Sequence, residues 1–394
     1  MSEYVLAPVD AQEAAEIVRA TRASSSLDIV GGGTKAGFGR PREGASKIST
    51  AKLTGLVFLE PAEMTLRARA GATMTEVEAS LAQHNQMLPF EPVDLRGLMG
   101  SSGEPTIGGL VAAALSGPRR ISAGAVRDGL IGLKFINGAG EILNSGGRVT
   151  KNVTGLDLVK IQCGAHGTLG LIVEATFKLL PKPRQEATII LTHLDHVGAV
   201  AAMTAALCSP FGISGAARLQ EGQGRDFSRT LLRLEGFEDS VAYRVERLRS
   251  ELARFGTPYV IDAADSRRLW RAVRDVDFLA EPRERAIWRV SVQPSHAPRW
   301  LARLGATALA SILDWGGGLI WVATEPTLEA ASAVRAATHG CCGHATLLRG
   351  DEAFREADGV FEPPTGFWLA QTKKLKATLD PDGVFNPGRM YEGV

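Results

Sequence analysis

The sequence predicts an α+β chain of two domains, and three observations carry that expectation. At 394 residues the chain is long enough to bury two separate cores. The first half alternates short strand and helix patterns with many glycines, and it ends at Leu179-Leu180-Pro181-Lys182-Pro183-Arg184, where two prolines mark a boundary. Beyond Arg184 glycine thins, arginine rises, and two β-α-β units succeed one another.

In the first half, Pro8 to Ala23 reads as a helix with Ala11, Ala14, Ala15, Val18 and Ala20 at helical spacing. A strand comes next and runs into the turn Gly31-Gly32-Gly33-Thr34-Lys35. Thr65 to Ala70 alternates as a strand, and Thr73 to Gln86 reads as a helix capped by Thr73 or Thr75, with Val77, Leu81 and Ala82 inward. Gly129 to Ile136 and Leu169 to Leu180 are strands. The former ends at Asn137-Gly138-Ala139-Gly140, a turn that returns the chain as Glu141-Ile142-Leu143 in a hairpin.

In the second half, Ala187 to Leu191, His196 to Cys208 and Gly215 to Leu219 form strand, helix and strand. Arg229 to Glu235, Ser240 to Phe255 and Tyr259 to Asp262 repeat the order. Strands at Ala286 to Val292 and Gly318 to Thr324, with helices at Trp300 to Ile312 and Thr327 to Ala337, extend this into an antiparallel sheet covered by helices.

The formal net charge is +1, so no basic field invites nucleic acid. The apolar runs Ile107 to Leu115 and Gly129 to Ile136 are too short to span a bilayer. The stretch from Met1 to Pro8 lacks a basic region leading into an apolar one, so the expected location is the cytoplasm. Cys163, Cys208, Cys341 and Cys342 show no C-x-x-C spacing; buried free thiols are expected rather than zinc ligands or disulfides.

The most informative stretch is Gly31-Gly32-Gly33-Thr34-Lys35. Successive residues without Cβ atoms let backbone N–H groups converge on one anion, and Thr34 and Lys35 add a hydroxyl and a cation. Gly31, Gly33 and Ala36 match the G-x-G-x-x-G/A pattern formally, but Ala36-Gly37-Phe38-Gly39-Arg40-Pro41 opens no helix, as a dinucleotide site of that type requires. A P-loop fails too, since no Gly-Lys-Ser/Thr comes after the turn. Taken alone, the run is an anion cradle or a flexible turn.

Three further motifs narrow the choice. They are Thr106-Ile107-Gly108-Gly109, Gly167-Thr168-Leu169-Gly170 and Asn386-Pro387-Gly388. In this order and spacing they resemble the FAD-binding fold of the vanillyl-alcohol oxidase and p-cresol methylhydroxylase superfamily (PCMH type), in its D-2-hydroxy-acid dehydrogenase branch. Leu115 to Arg120, Lys151 to Leu158 and Gly343 to Arg349 look most like the FAD-binding E subunits of bacterial glycolate oxidases.

The resemblance implies a PCMH-type FAD-binding domain over 1–184, a cap or substrate domain over 185–370, and a segment 371–394 that returns to the FAD domain. It implies FAD held non-covalently, because Gly31 to Lys35 contains no histidine. Gly31, Gly32, Gly33, Thr34 and Lys35 would meet the pyrophosphate. Thr106, Gly108, Gly109, Ser116 and Gly117 would run along the pyrophosphate and ribityl chain, Gly170, Ile172 and Val173 would meet adenine or ribose, and Asn386 would close the isoalloxazine end.

The activity implied is oxidation of glycolate, a small 2-hydroxy acid, to glyoxylate. Electrons would leave through a second flavoprotein subunit and an iron–sulfur subunit, which would also hold the chain at the inner face of the membrane. Two alternatives stand beside it: a flavin-bearing assembly or electron-transfer subunit without catalysis, and a stand-alone FAD-dependent D-2-hydroxy-acid dehydrogenase. A base must take the substrate hydroxyl proton, and His344 is the candidate. Arg349 and Arg40 are candidates for the carboxylate, because planar guanidiniums suit bidentate contact. Of the histidine-rich metal motif of this branch, Gly343-His344 remains, with Asp351 where a second histidine would stand; no metal site is expected.

Overall fold

The computed structural model describes residues 5–41, 45–147, 157–220, 228–362 and 364–394. The Lys151 to Leu158 motif therefore lies, in its first six residues, outside the described ones.

Helix Ala11–Thr21 begins at Asp10, whose carboxylate accepts from the Glu13 N–H, and it buries Ala14, Ala15 and Val18. It leads into strand Leu27–Val30, which pairs in parallel with Ser46–Ser49; that strand pairs in parallel with Val5–Leu6. The C-terminal tail lies along the Leu27 strand. Leu27 N donates to the Val384 carbonyl at 2.7 Å and Asn386 N to the Leu27 carbonyl at 3.0 Å.

A five-stranded antiparallel sheet completes this half, ordered Leu56–Glu60, Thr65–Arg69, Leu171–Lys178, Leu130–Ile136 and Ile142–Gly146. Leu66, Ala68, Ala175, Phe177, Leu133 and Phe135 point from it to one core. There they meet Val77 and Leu81 of helix Met74–Ala82, and Ile107, Leu110 and Val111 of helix Ile107–Ala113. Thr73 is the cap of the former, its hydroxyl accepting from Glu76 N, so Thr75 is not.

The second half forms one eight-stranded antiparallel sheet. Its order is Tyr259–Ile261, Gln185–Thr192, Ser228–Gly236, Ile213–Gln220, Ala310–Asp314, Leu319–Thr324, Ala286–Ser291 and His344–Arg349. Alternate side chains serve two cores. Ile189, Trp288, Ile320 and Leu347 face helices His196–Leu207, Glu238–Leu252, Ala297–Leu304 and Leu328–His339. Ile190, Ile287, Trp321 and Leu348 face helix Ala263–Asp275 and, beyond it, Leu95, Leu98 and Leu115 of the first half. Burial on both faces explains why these strands read as continuous apolar runs.

The expected helix from Trp300 to Ile312 is corrected. It spans Ala297–Leu304 and stops at Gly305, whose φ of +52° ends it, and Ala310–Asp314 is a strand between two others. Pro181 is not only a boundary: Leu180–Pro181 pairs with Gln86–Met87. Two cysteines depart from expectation, since Cys208 and Cys342 are exposed while Cys163 and Cys341 are buried.

Buried charge ties the halves together. Glu91 takes both nitrogens of the Arg233 fork at 2.8 and 3.0 Å, and also the Arg119 side chain at 3.1 Å and backbone N–H at 2.7 Å. Arg119 in turn donates to Glu235 at 2.9 Å.

Candidate functional site

The turn Gly31 to Lys35 leaves the end of strand Leu27–Val30 and forms one wall of a cavity. Thr106, Gly108, Gly109, Ala112 and Ala113, at and within the short helix, line it too, as do Gly170 and Ile172. Phe38, His166, Asn386 and Arg389 stand at one end. The first-half fold brings these segments together because the Gly31 strand, the Leu171 strand and the tail share one small core through Leu27, Leu171, Val384 and Phe385.

Each glycine of the turn has its own reason. A Cβ on Gly32 would stand 1.6 Å from the Glu104 carbonyl oxygen, so backbone packs on backbone there; Gly33 has φ of +74° and faces open space. Replacing Gly32 by valine would therefore disturb the packing of the turn before it blocked an anion. Among the described residues, no protein acceptor takes the backbone N–H groups of Gly31 to Lys35. Lys35 lines the cavity as well, and burial pushes its ammonium below the usual lysine value while Asp94 opposes the shift. Unspent donors, a cation and a lining of small residues fit an anionic dinucleotide.

The helix wall contributes differently from what its sequence implied. Its first N–H groups are already spent: Ile107 N on the Ala72 carbonyl at 3.0 Å, Gly108 N on Ala70 at 2.7 Å, and Gly109 N on the Thr106 hydroxyl at 3.3 Å. Thr106, Gly108 and Gly109 thus offer a flat surface, not donors. We expect Gly109→Leu to weaken FAD retention at least about ten-fold without lowering the melting temperature of the flavin-free chain. A Cβ there meets only the Thr106 hydroxyl at 3.3 Å, and leucine favours a helix over glycine by up to about 1 kcal/mol. Unchanged retention on gel filtration would remove this face from the cofactor site.

Asn386 is a strut. Its side-chain oxygen accepts from Ile29 N at 3.0 Å and its amide donates to the His166 carbonyl at 2.9 Å, pinning the strand to the Gly164 to Gly167 turn. His166 was not singled out from sequence. It is held at φ of +50°, and its ring packs on Phe38 (4.8 Å between centroids) and Phe361 (4.8 Å). Burial, with Arg389 and Lys35 nearby, depresses it to about 3, so it lines the cavity as a neutral ring. Arg389 pairs with Asp28 at 3.2 Å and donates to the Phe38 carbonyl at 3.1 Å. The only sequence signal for either was proximity to a glycine motif.

Three expected cofactor residues lie outside the cavity wall. Val173 points into the core with Ala14, Val18 and Ile48. The Ser116 hydroxyl accepts from Val126 N at 3.1 Å, and the Gly117 carbonyl accepts from the Trp315 indole at 3.1 Å, so this pair braces a loop of the second half.

His344 opens the edge strand His344–Arg349, opposite Ser291 and outside the cavity wall. Burial and Arg289 push its imidazole below the usual value, with Glu362 opposing and Arg120 adding, so it is neutral near pH 7. It stands near the cavity end through Phe361–Glu362: Thr346 bridges to Phe361, and Phe361 packs on Phe38 and His166. Arg349 is excluded as a carboxylate binder. Its guanidinium donates to five carbonyls, those of Arg285, Leu98, Ala280, Leu279 and Pro282. Asp351 caps helix Glu352–Asp358 by accepting from Phe354 N at 2.8 Å. Arg40 donates its backbone N–H to the Arg389 carbonyl and does not line the cavity.

Comparison with known proteins agrees with this geometry. The FAD binding domain family matches residues 2–146. Glycolate oxidase subunit GlcE of Escherichia coli (strain K12) is 34% identical over 378 residues, covering 95% of this chain and 95% of that protein. Glycolate oxidase subunit GlcD of Bacillus subtilis (strain 168) is 28% identical over 193 residues, 48% of this chain and 39% of that one. A solved structure of alkyldihydroxyacetonephosphate synthase superposes with a TM-score of 0.70 at 15% identity, covering 97% of this chain and 76% of its own; this likeness concerns the fold. No helix among the described residues is long and apolar enough to cross a membrane.

Proposed function

The chain belongs to the FAD-binding family that includes Escherichia coli glycolate oxidase subunit GlcE, and from that membership we propose that it oxidises a small 2-hydroxy acid, glycolate, to glyoxylate within a larger oxidase. The observation that carries this reading is the cavity lined both by unspent N–H donors and by the small residues Gly108, Gly109, Ala112 and Ala113 of the short helix. Bound there non-covalently, FAD supplies the acceptor for the hydride that leaves the α-carbon.

The N–H groups of Gly31, Gly32, Gly33, Thr34 and Lys35 hold the pyrophosphate, and the Lys35 ammonium offsets its charge. Thr106, Gly108, Gly109, Gly170 and Ile172 pack flat against the cofactor, and Asn386 keeps the turn in register. Phe38, His166 and Phe361 keep water from one end. Ser116 and Gly117 act at a distance, by bracing the Trp315 loop. His344, neutral near pH 7, takes the hydroxyl proton.

The partners are a second flavoprotein subunit and an iron–sulfur subunit, and the assembly sits in the cytoplasm at the inner face of the membrane. The chain's four cysteines make no cluster spacing, so onward one-electron transfer falls to another subunit. A second reading, a flavin-bearing electron-transfer or assembly subunit, draws on His344 standing outside the cavity wall.

Anaerobic mixing of the flavin-loaded chain with glycolate or D-lactate separates the two. Bleaching of the flavin absorbance by the single chain is expected. Bleaching only after a partner flavoprotein is added would overturn catalysis by this chain and leave the second reading. Acid denaturation should release free FAD; flavin that stays with the precipitate would contradict non-covalent binding.

A further inference from the structure

Two guanidiniums share one indole in the second half. The Arg120 Cζ lies 4.4 Å from the Trp315 ring centroid and the Arg289 Cζ 5.3 Å; Arg289 also lies 5.9 Å from Trp321. Neither side chain makes a hydrogen bond or ion pair with a described residue. This sets the exposed Arg120 and the half-buried Arg289 apart from the more deeply placed arginines, since Arg119 and Arg233 are bonded to Glu91, Arg349 to five carbonyls and Arg389 to Asp28.

The two like charges repel where they stand. Burial pushes Arg289 down to about 10, with Arg120 adding repulsion and Asp314 opposing; burial lowers Arg120 as well, against Asp128. Both are still cations at neutral pH. Asp314 does not cancel Arg289, because it is pushed up to about 7 by burial and its oxygen accepts from Trp315 N at 2.7 Å. Arg120 is exposed and Arg289 half-buried, so a ligand can reach both, and an anion taken between two guanidiniums that have no protein acceptor gains from each fork.

The loop that carries the indole is held under strain. Trp315 has φ of +54°, unusual for a bulky residue, and its indole N–H is pinned to the Gly117 carbonyl. The indole packs against the second-half core, and its rigid plane fixes the direction of both guanidinium forks. His344 is electrostatically coupled to both arginines.

We propose that Arg120, Arg289 and Trp315 form a binding site for a small carboxylate, the two guanidiniums taking its oxygens while the indole holds them in place. Identifying the carboxylate as that of the 2-hydroxy acid rests on the function proposed above; the anion site itself does not. The site lies next to His344, so an acid held there presents its hydroxyl-bearing carbon toward the candidate base.

The test titrates the flavin-loaded full chain with oxalate and with glycolate, following tryptophan fluorescence and flavin absorbance. Arg289→Met and Arg120→Met should each raise the Kd for both acids about ten-fold or more, with FAD content and melting temperature as in the parent. Arg289→Lys, which keeps the charge and loses the fork, should fall between. Parent-like affinity in both methionine variants overturns the site, as does a parent chain that shows no saturable response to either acid. The function can fail separately: arginine-dependent oxalate binding without any bleaching by glycolate or D-lactate upholds the anion site and removes the oxidation. Bleaching by glycolate with unchanged KM in the arginine variants does the reverse.

Discussion

Glu91→Ala is expected to destabilise the folded chain by about 3–5 kcal/mol, because it removes the acid from a buried cluster and leaves two guanidiniums behind. Arg233 is 2% exposed and donates twice to Glu91, and Arg119 donates twice more from its side chain and backbone. Glu235 would then be left as the ion-pair partner of both cations. Urea titration of the parent and variant chains measures the loss. A change below about 1 kcal/mol would mean that the cluster contributes no more than a surface ion pair.

The same residue sets an acid limb. Burial pushes the Glu91 carboxyl up, but Arg233 and Arg119 outweigh it and hold it at about 2, against an ordinary 4.5. A depressed folded value stabilises above the unfolded one, so the contribution is fully present above pH 4.5 and is lost as pH falls from there toward 2. Stability of the parent should drop through that window by a few kcal/mol more than that of Glu91→Ala. Parallel pH profiles would assign the acid sensitivity elsewhere.

Lys376→Met is expected to cost a similar amount, about 3–5 kcal/mol, and to release the C-terminal tail. The Lys376 ammonium, 7% exposed, donates to the Thr168 carbonyl at 2.7 Å, to Asp380 at 2.7 Å and to the Phe385 carbonyl at 2.9 Å. Asp380, 1% exposed, accepts from Val384 N and Phe385 N, both at 2.8 Å. Methionine keeps the volume and leaves a buried carboxylate without its cation. Because this knot places Asn386 and Arg389 at the cavity, flavin retention should fall together with hydrogen-exchange protection of Val384 and Phe385. Protection equal to the parent's would show that Leu27 and the apolar contacts of Phe385 suffice to hold the tail.

Much of this architecture was legible in the amino-acid order because its causes are local. Ala14, Ala15 and Val18 recur at helical spacing, Asp10 and Thr73 can cap only the helix immediately C-terminal to them, and Asn137 to Gly140 favours a tight return. The three-glycine turn is of the same kind, since freedom from a Cβ belongs to the residue itself. Trp300 to Ile312 failed for a non-local reason. Ser311, Ile312 and Leu313 read equally well on a helix, and only strands on both sides made the extended form the better use of their backbone groups.

The site divides along the same line. Residue type and spacing pointed to an anion cradle or a turn at Gly31 to Lys35, the family resemblance added Thr106, Gly109, Gly170 and Asn386, and all of these line one cavity. How each residue is used was settled by tertiary packing. It spent the first N–H groups of the Ile107 helix on Ala70 and Ala72, turned Asn386 into a strut, buried Val173, committed Arg349 to five carbonyls and left Arg120 and Arg289 without an acceptor among the described residues. Hydrogen-bond partners and burial come from residues tens to hundreds of positions away, and no single stretch of chain encodes which of its donors will be satisfied.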